Sequence, residues 1–149
     1  MDRVRTSVPL QHKQIKRGVS SQHSAATALS PNLYVLNVNS IAKPHALDHL
    51  QADLISYASE VAVITETHLK KKHAQGVETI PGYVAYRRDR AGRRGGGVAI
   101  YVREDFTSER CEFNIDSDLE LLWIKLKQPA CTVPIGVIYH PPKLDPYAD

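Results

Sequence analysis

The residues best placed to do chemistry stand at the ends of three short apolar runs. Val61-Ala62-Val63-Ile64 delivers Thr65-Glu66-Thr67; Leu33-Tyr34-Val35-Leu36 delivers Asn37-Val38-Asn39-Ser40; Val133-Pro134-Ile135-Gly136-Val137-Ile138 delivers Tyr139-His140-Pro141-Pro142. If each run is a strand and the strands share a rim, a carboxylate, a primary amide and a phenol meet there. A carboxylate so presented suits magnesium, a hard ion that takes oxygen ligands, keeps several waters and needs few protein groups. Phosphodiester hydrolysis uses such an ion to polarise a phosphoryl oxygen and stabilise the leaving alkoxide, with preorganised neutral donors for the growing charge. Each residue also has a plain alternative. Glu66 can be a solvated strand end, Asn37 can close a turn on its own backbone, and Tyr139 can be a half-buried aromatic with its hydroxyl in water.

The elements needed to position these groups are legible. Residues 33–38 read as a strand, and Lys43-Pro44 opens a segment in which Leu47, Leu50, Leu54 and Ala58 recur at helical spacing, with Pro44 acceptable in a first turn. Residues 61–64 are apolar without alternation, the pattern of a central strand covered on both faces. Residues 83–87 and 97–102 read as two strands joined by Asp89-Arg90-Ala91-Gly92-Arg93-Arg94-Gly95-Gly96, whose glycines fit a flexible hairpin-like connection. Those glycines are no phosphate-binding loop, because the terminal Lys-Ser/Thr is lacking and a strand follows where a helix is required. Residues 119–126 alternate weakly around Trp123, and 133–139 form the last strand, ended by Pro141-Pro142.

Composition fits one unit with one core: 149 residues, 42% apolar. No run approaches the ~20 apolar residues of a membrane span, and the polar N-terminus lacks the apolar stretch of a signal peptide, so an intracellular protein, nuclear or cytoplasmic, is expected without a membrane partner. Cys111 and Cys131 are too few and too separated for a disulfide framework or zinc site, and read as buried or half-buried thiols. Residues 1–30 are polar and aperiodic, the composition of a disordered tail, leaving 31–149 as the folded domain. That tail carries net +4 of the chain's +3, so the remaining 119 residues are at −1. Within them, residues 70–94 carry a local +6 and residues 104–120 seven acids against Arg110 alone. A basic block beside an acidic one suits a surface that orients a polyanion. Arg87, Arg88, Arg90, Arg93 and Arg94 are the nucleic-acid candidates, since clustered guanidinium groups pair with phosphate oxygens; a solvated hairpin is the alternative. His68 and His73, five apart, are poorly spaced for two ligands on one helical face.

The order Asn37, Glu66, Tyr139, with Ile80-Pro81-Gly82-Tyr83 and Arg93-Arg94-Gly95-Gly96-Gly97-Val98-Ala99-Ile100-Tyr101 between, resembles the endonuclease/exonuclease/phosphatase superfamily. The form is that of non-LTR retrotransposons of the LINE and jockey-like kind, and the resemblance covers about residues 33–142. It implies an α/β (α+β) fold, the N-terminal half of a two-sheet, four-layer sandwich with helices outside. It also implies a magnesium-dependent DNA endonuclease, with manganese as an alternative ion, in which Asn37, Glu66 and Tyr139 are catalytic and Glu66 holds the metal. His68 is then substrate-facing and joins the nucleic-acid contacts, while His140 departs from the arginine or alanine more familiar there. The family's Gly-Asp-Phe-Asn and Ser-Asp-His motifs do not occur in the 149 residues. The chain is therefore expected to be inactive alone, with DNA, a missing C-terminal half or a reverse transcriptase domain as partners. Leu36, Val63, Ile100 and Ile138 are expected to form part of a bared apolar face. A non-catalytic remnant that binds nucleic acid or protein is the alternative. A sister branch hydrolysing phospholipid or sugar phosphates fits less well with the Arg-Arg-Gly-Gly-Gly-Val stretch.

Overall fold

The computed structural model describes residues 30–113 and 119–141. The expected tail, apart from Ser30, lies outside them. The elements are β1 (Leu33–Asn37), α1 (Ala46–Ser56), β2 (Val61–Thr65), β3 (Tyr83–Arg88), β4 (Val98–Arg103), β5 (Thr107–Cys111), β6 (Glu120–Lys127) and β7 (Thr132–Tyr139). They form two sheets, ordered β1-β2-β4-β3 and β5-β6-β7. In the first, β1 and β2 are parallel while β4 runs antiparallel to β2 and β3. The second is antiparallel throughout.

Two apolar cores lie on opposite faces of the first sheet, which explains the unalternating β2. On one face, Tyr34, Ala62, Ile64, Ala99 and Tyr101 pack with Leu50 and Leu54 of α1. On the other, Val61, Val63, Val98, Ile100 and Val102 meet Leu122, Ile124, Leu126, Ile135 and Val137 of the second sheet. Both faces of β2 and β4 are therefore dry, and burying each Val, Leu or Ile stabilises the fold by about 1.5–3 kcal/mol. The second sheet is one-sided: β6 alternates buried and half-exposed or exposed residues along its length, as a strand with one covered face must.

Several expectations are corrected. The helix ends at Ser56, because Tyr57 and Ala58 turn the chain and Ala58 takes a left-handed φ of 48°; Ala58 is thus outside it. Pro44 precedes the helix, whose N-cap is His45, without a side-chain cap bond. Val63 and Ile100 are buried rather than bared, since the second sheet covers them, and Leu36 is half-buried toward α1. Ile138 is exposed at 57%, on the outer face of the second sheet, and the first sheet exposes Val35 at its β1 edge, at 65%. Cys131 is exposed and Cys111 half-buried. Strand β5 was not anticipated: Thr-Ser-Glu-Arg-Cys has no apolar alternation and sits at a sheet edge. Among the described residues no helix is long and apolar enough to cross a membrane.

Candidate active site

Parallel pairing of β1 with β2 puts Asn37 opposite Thr65, so the amide and the Glu66 carboxylate leave the sheet at the same end. Beyond β2 the chain is clasped on both sides. Ser40 and Ile41 donate their N–H groups to the carbonyls of Glu66 and Thr67 at 2.8 and 3.0 Å, while Thr67 and His68 donate theirs to Gly97 and Gly96 at 3.1 and 2.8 Å. Within this clasp Glu66 and His68 both take a left-handed φ of 56°, a conformation that costs non-glycine residues energy and collects at functional sites. Thr67 between them is fully buried. Gly97 is required here, since a Cβ would lie 2.4 Å from Thr67 Oγ1 at a backbone φ of +86°. Gly96 and Gly97 are thus buried and packed rather than flexible, while Gly92 is exposed.

The second sheet supplies the facing wall. Glu120 and Tyr139 pair at the open end of β6 and β7, and the Tyr139 hydroxyl donates to Glu66 Oε1 at 2.5 Å. The hydrogen bond from Tyr139 holds the Glu66 carboxyl below the usual carboxylate range against the opposing effect of burial, helped by the Asn37 amide, His68 and Arg90. Reciprocally, the bond to Glu66 pushes the Tyr139 phenol up, while Arg90 opposes the rise. His68 Nε2 lies 3.8 Å from Glu66 Oε2. Asn37 also closes a local turn, its Oδ1 accepting the Asn39 N–H at 3.1 Å.

The connection between β3 and β4, residues 89–97, arches over this rim. Its guanidinium groups are not equivalent. Arg87 is bound to Glu78 at 2.8 Å and Asp89 at 3.4 Å, and Arg88 donates to the Leu121 carbonyl at 2.9 Å. Arg90 pairs with Glu120 and lies with its Cζ 5.5 Å from the Tyr139 ring centroid. Arg93 and Arg94 remain exposed. Together with Glu66, His68, Arg90, Gly95, Gly96, Tyr139 and Pro141 they line a cleft of about 480 Å³. The structure thus joins Asn37, Glu66, His68, Tyr139, Arg90, Arg93 and Arg94, and leaves Arg87 and Arg88 engaged elsewhere.

Glu120 was missed as a site residue. A signal existed: it shares the inward-facing positions of β6 with Leu122, Ile124 and Leu126, and a carboxylate on that face needs a partner.

Residues 32–149 match the family model described as "Endonuclease/Exonuclease/phosphatase family". No curated protein sequence matches. Among solved structures, the "Endonuclease domain of TRAS1, a telomere-specific non-LTR retrotransposon" is similar with a TM-score of 0.58 at 15% identity, covering 78% of this chain and 49% of that one. The AP endonuclease LMAP from Leishmania major gives 0.54 at 18% identity, covering 71% and 38%. ANGEL2, a 2',3'-cyclic phosphatase, gives 0.50 at 15% identity, covering 71% and 39%. Likeness at such identity establishes a shared fold, and the chain spans about half or less of each structure's length.

Proposed function

The chain belongs to the endonuclease/exonuclease/phosphatase family, and from that premise we propose that it carries one side of a magnesium-dependent DNA endonuclease site of the non-LTR retrotransposon kind, inactive by itself. The observation that carries this reading is the Tyr139–Glu66 hydrogen bond, which joins strand ends of two different sheets across 73 positions.

The donor set fits the implied ion. Glu66 is a carboxylate kept ionised by hydrogen bonds from Tyr139 and Asn37, and among the described residues no group of three His, Cys, Asp or Glu could hold a metal. A single carboxylate suits magnesium, which retains waters, and does not suit a closed zinc site. Glu66 would hold the ion, with manganese able to replace it. Bound there, the metal supplies Lewis-acid polarisation of a phosphate oxygen and stabilisation of the leaving alkoxide. Tyr139, its phenol pushed up by Glu66, stays protonated with its one hydroxyl proton on Glu66 Oε1, and would offer that proton to a phosphate oxygen only once the carboxylate was taken up by a bound metal. Asn37 keeps the carboxylate oriented, and Arg93 and Arg94 offer cations for DNA phosphates at the cleft mouth. No aspartate–histidine pair to activate water stands among these residues, which supports the expectation that the chain alone does not cut.

The test is nicking of supercoiled plasmid with magnesium or chelator, alongside manganese binding read by electron paramagnetic resonance. The expected result is no nicking, with manganese affinity about tenfold or more lower in Glu66→Ala, within the range typical of lost groups at metal sites. Magnesium-dependent nicking that Glu66→Ala abolishes would overturn the inactivity. Manganese binding indifferent to Glu66→Ala would overturn the metal site. It would leave the second reading, a non-catalytic remnant binding nucleic acid through Arg93 and Arg94, whose exposure in the cleft favours it; salt-dependent DNA binding surviving Glu66→Ala without cleavage is its signature.

A further inference from the structure

One carboxylate closes the 89–97 loop from beneath. Glu120, 7% exposed, accepts from Arg90 Nε near the start of the loop on one oxygen and from the Gly97 N–H at its end, at 2.7 Å, on the other. Burying a carboxylate is unfavourable unless both oxygens are satisfied, and here both hold the same loop. Arg90, so held, stacks on Tyr139 with its Cζ 5.5 Å from the ring and donates from Nη1 to the Arg94 carbonyl at 3.0 Å. Gly96 makes the passage possible, since a Cβ there would lie 2.3 Å from the Arg90 guanidinium. Arg90 is thus a strut rather than a free cation.

We propose that Glu120 is a positioning residue, acting through Arg90 to hold the loop so that Arg93 and Arg94 stand over Glu66 and Tyr139 and grip DNA phosphates at the cleft mouth. This rests on the DNA reading above. The sign of the effect separates it from simple electrostatics: removing an acid beside a polyanion site strengthens binding through the field alone, whereas losing the strut weakens it.

The experiment is fluorescence anisotropy of a labelled duplex against the purified chain, over a salt series, with melting of each variant followed by circular dichroism. Glu120→Ala is expected to weaken binding about fivefold or more, and the Glu120→Ala/Arg90→Ala double to weaken it no further than either single change. Glu120→Gln has one acceptor oxygen where the carboxylate has two, so it can keep the Gly97 bond or the Arg90 bond but not both, and is expected to weaken binding less than Glu120→Ala. Equal or tighter binding by a folded Glu120→Ala, or additive losses in the double, overturns the proposal. If Glu120→Ala does not fold, Arg90→Ala is read instead, and undiminished DNA affinity in that variant overturns the proposal. Wild-type binding that ignores both salt and the Arg93→Ala/Arg94→Ala pair overturns the DNA reading itself. The strut is then read from amide exchange in residues 89–97, which Glu120→Ala or Arg90→Ala is expected to accelerate about tenfold; unchanged exchange overturns it as well.

Discussion

The neighbours of Glu66 lower the pKa of its carboxyl. Because its folded pKa lies below the ordinary value, its charge stabilises the fold above the usual carboxylate range, and that contribution is lost as pH falls through the lowered pKa. Tyr139→Phe removes the largest cause, so the Glu66 carboxyl is expected to titrate at higher pH; carbon-13 NMR of the metal-free chain reads this directly, and an unmoved titration would show that Tyr139 does not hold the carboxylate. At Gly97, substitution by Ala meets both a left-handed φ and a contact of 2.4 Å with buried Thr67, and is expected to cost about 1–3 kcal/mol in urea unfolding. At this scale the sequence was informative where a residue ended an apolar run, as Asn37, Glu66 and Tyr139 do. It was silent where a role depends on a distant partner. Arg87 and Arg93 look alike in a basic stretch, and only the approach of Glu78 and Asp89 to Arg87 separates a packed cation from an exposed one.

Among the elements, α1 and the β2–β4 pair carry the first core. Leu54 is fully buried there, and Leu54→Ala is expected to lower stability by about 2–5 kcal/mol in urea unfolding; a smaller loss would mean that the helix repacks. Tyr101 of β4 is fully buried and donates to the Glu78 carbonyl at 2.7 Å, and burial pushes its phenol up. A raised folded pKa gives stability that is complete below the unfolded phenol's pKa and is lost as pH rises from there toward the folded value. Stability is therefore expected to fall above about pH 10, less steeply in Tyr101→Phe, as thermal melts across alkaline pH would show. Strands with one or two apolar faces were legible from periodicity, and β2 above all. Strand β5 was not, because an edge strand whose residues alternate between solvent and hydroxyl contacts, such as Ser108 with Tyr86 at 2.9 Å, carries no apolar signal. The helix end was missed because Ala58 continues the apolar spacing while its backbone has already turned left-handed.

At the scale of the whole molecule, the site belongs to neither sheet. The first sheet brings Glu66 and Asn37, the second brings Tyr139 and Glu120, and packing of the two is what closes the cleft. The exposed cations at the cleft, Arg93 and Arg94, both come from the β3–β4 connection of the first sheet, so on the DNA reading the affinity for duplex is expected to fall steeply with salt, with a slope that Arg93→Ala/Arg94→Ala reduces by about two phosphate contacts' worth; an anisotropy titration at several salt concentrations measures this, and an unchanged slope would place the DNA elsewhere. The separation of Glu66 from Tyr139 by 73 positions also sets a schedule. At about 5–20 residues per second, a ribosome makes Glu66 roughly 4 to 15 seconds before its partner, so a nascent chain exposes the carboxylate with no phenol to hold it. The Glu66 carboxylate meets its phenol only when β7 has been synthesised and laid down, so the closing of this rim waits on the completion of this stretch of polypeptide.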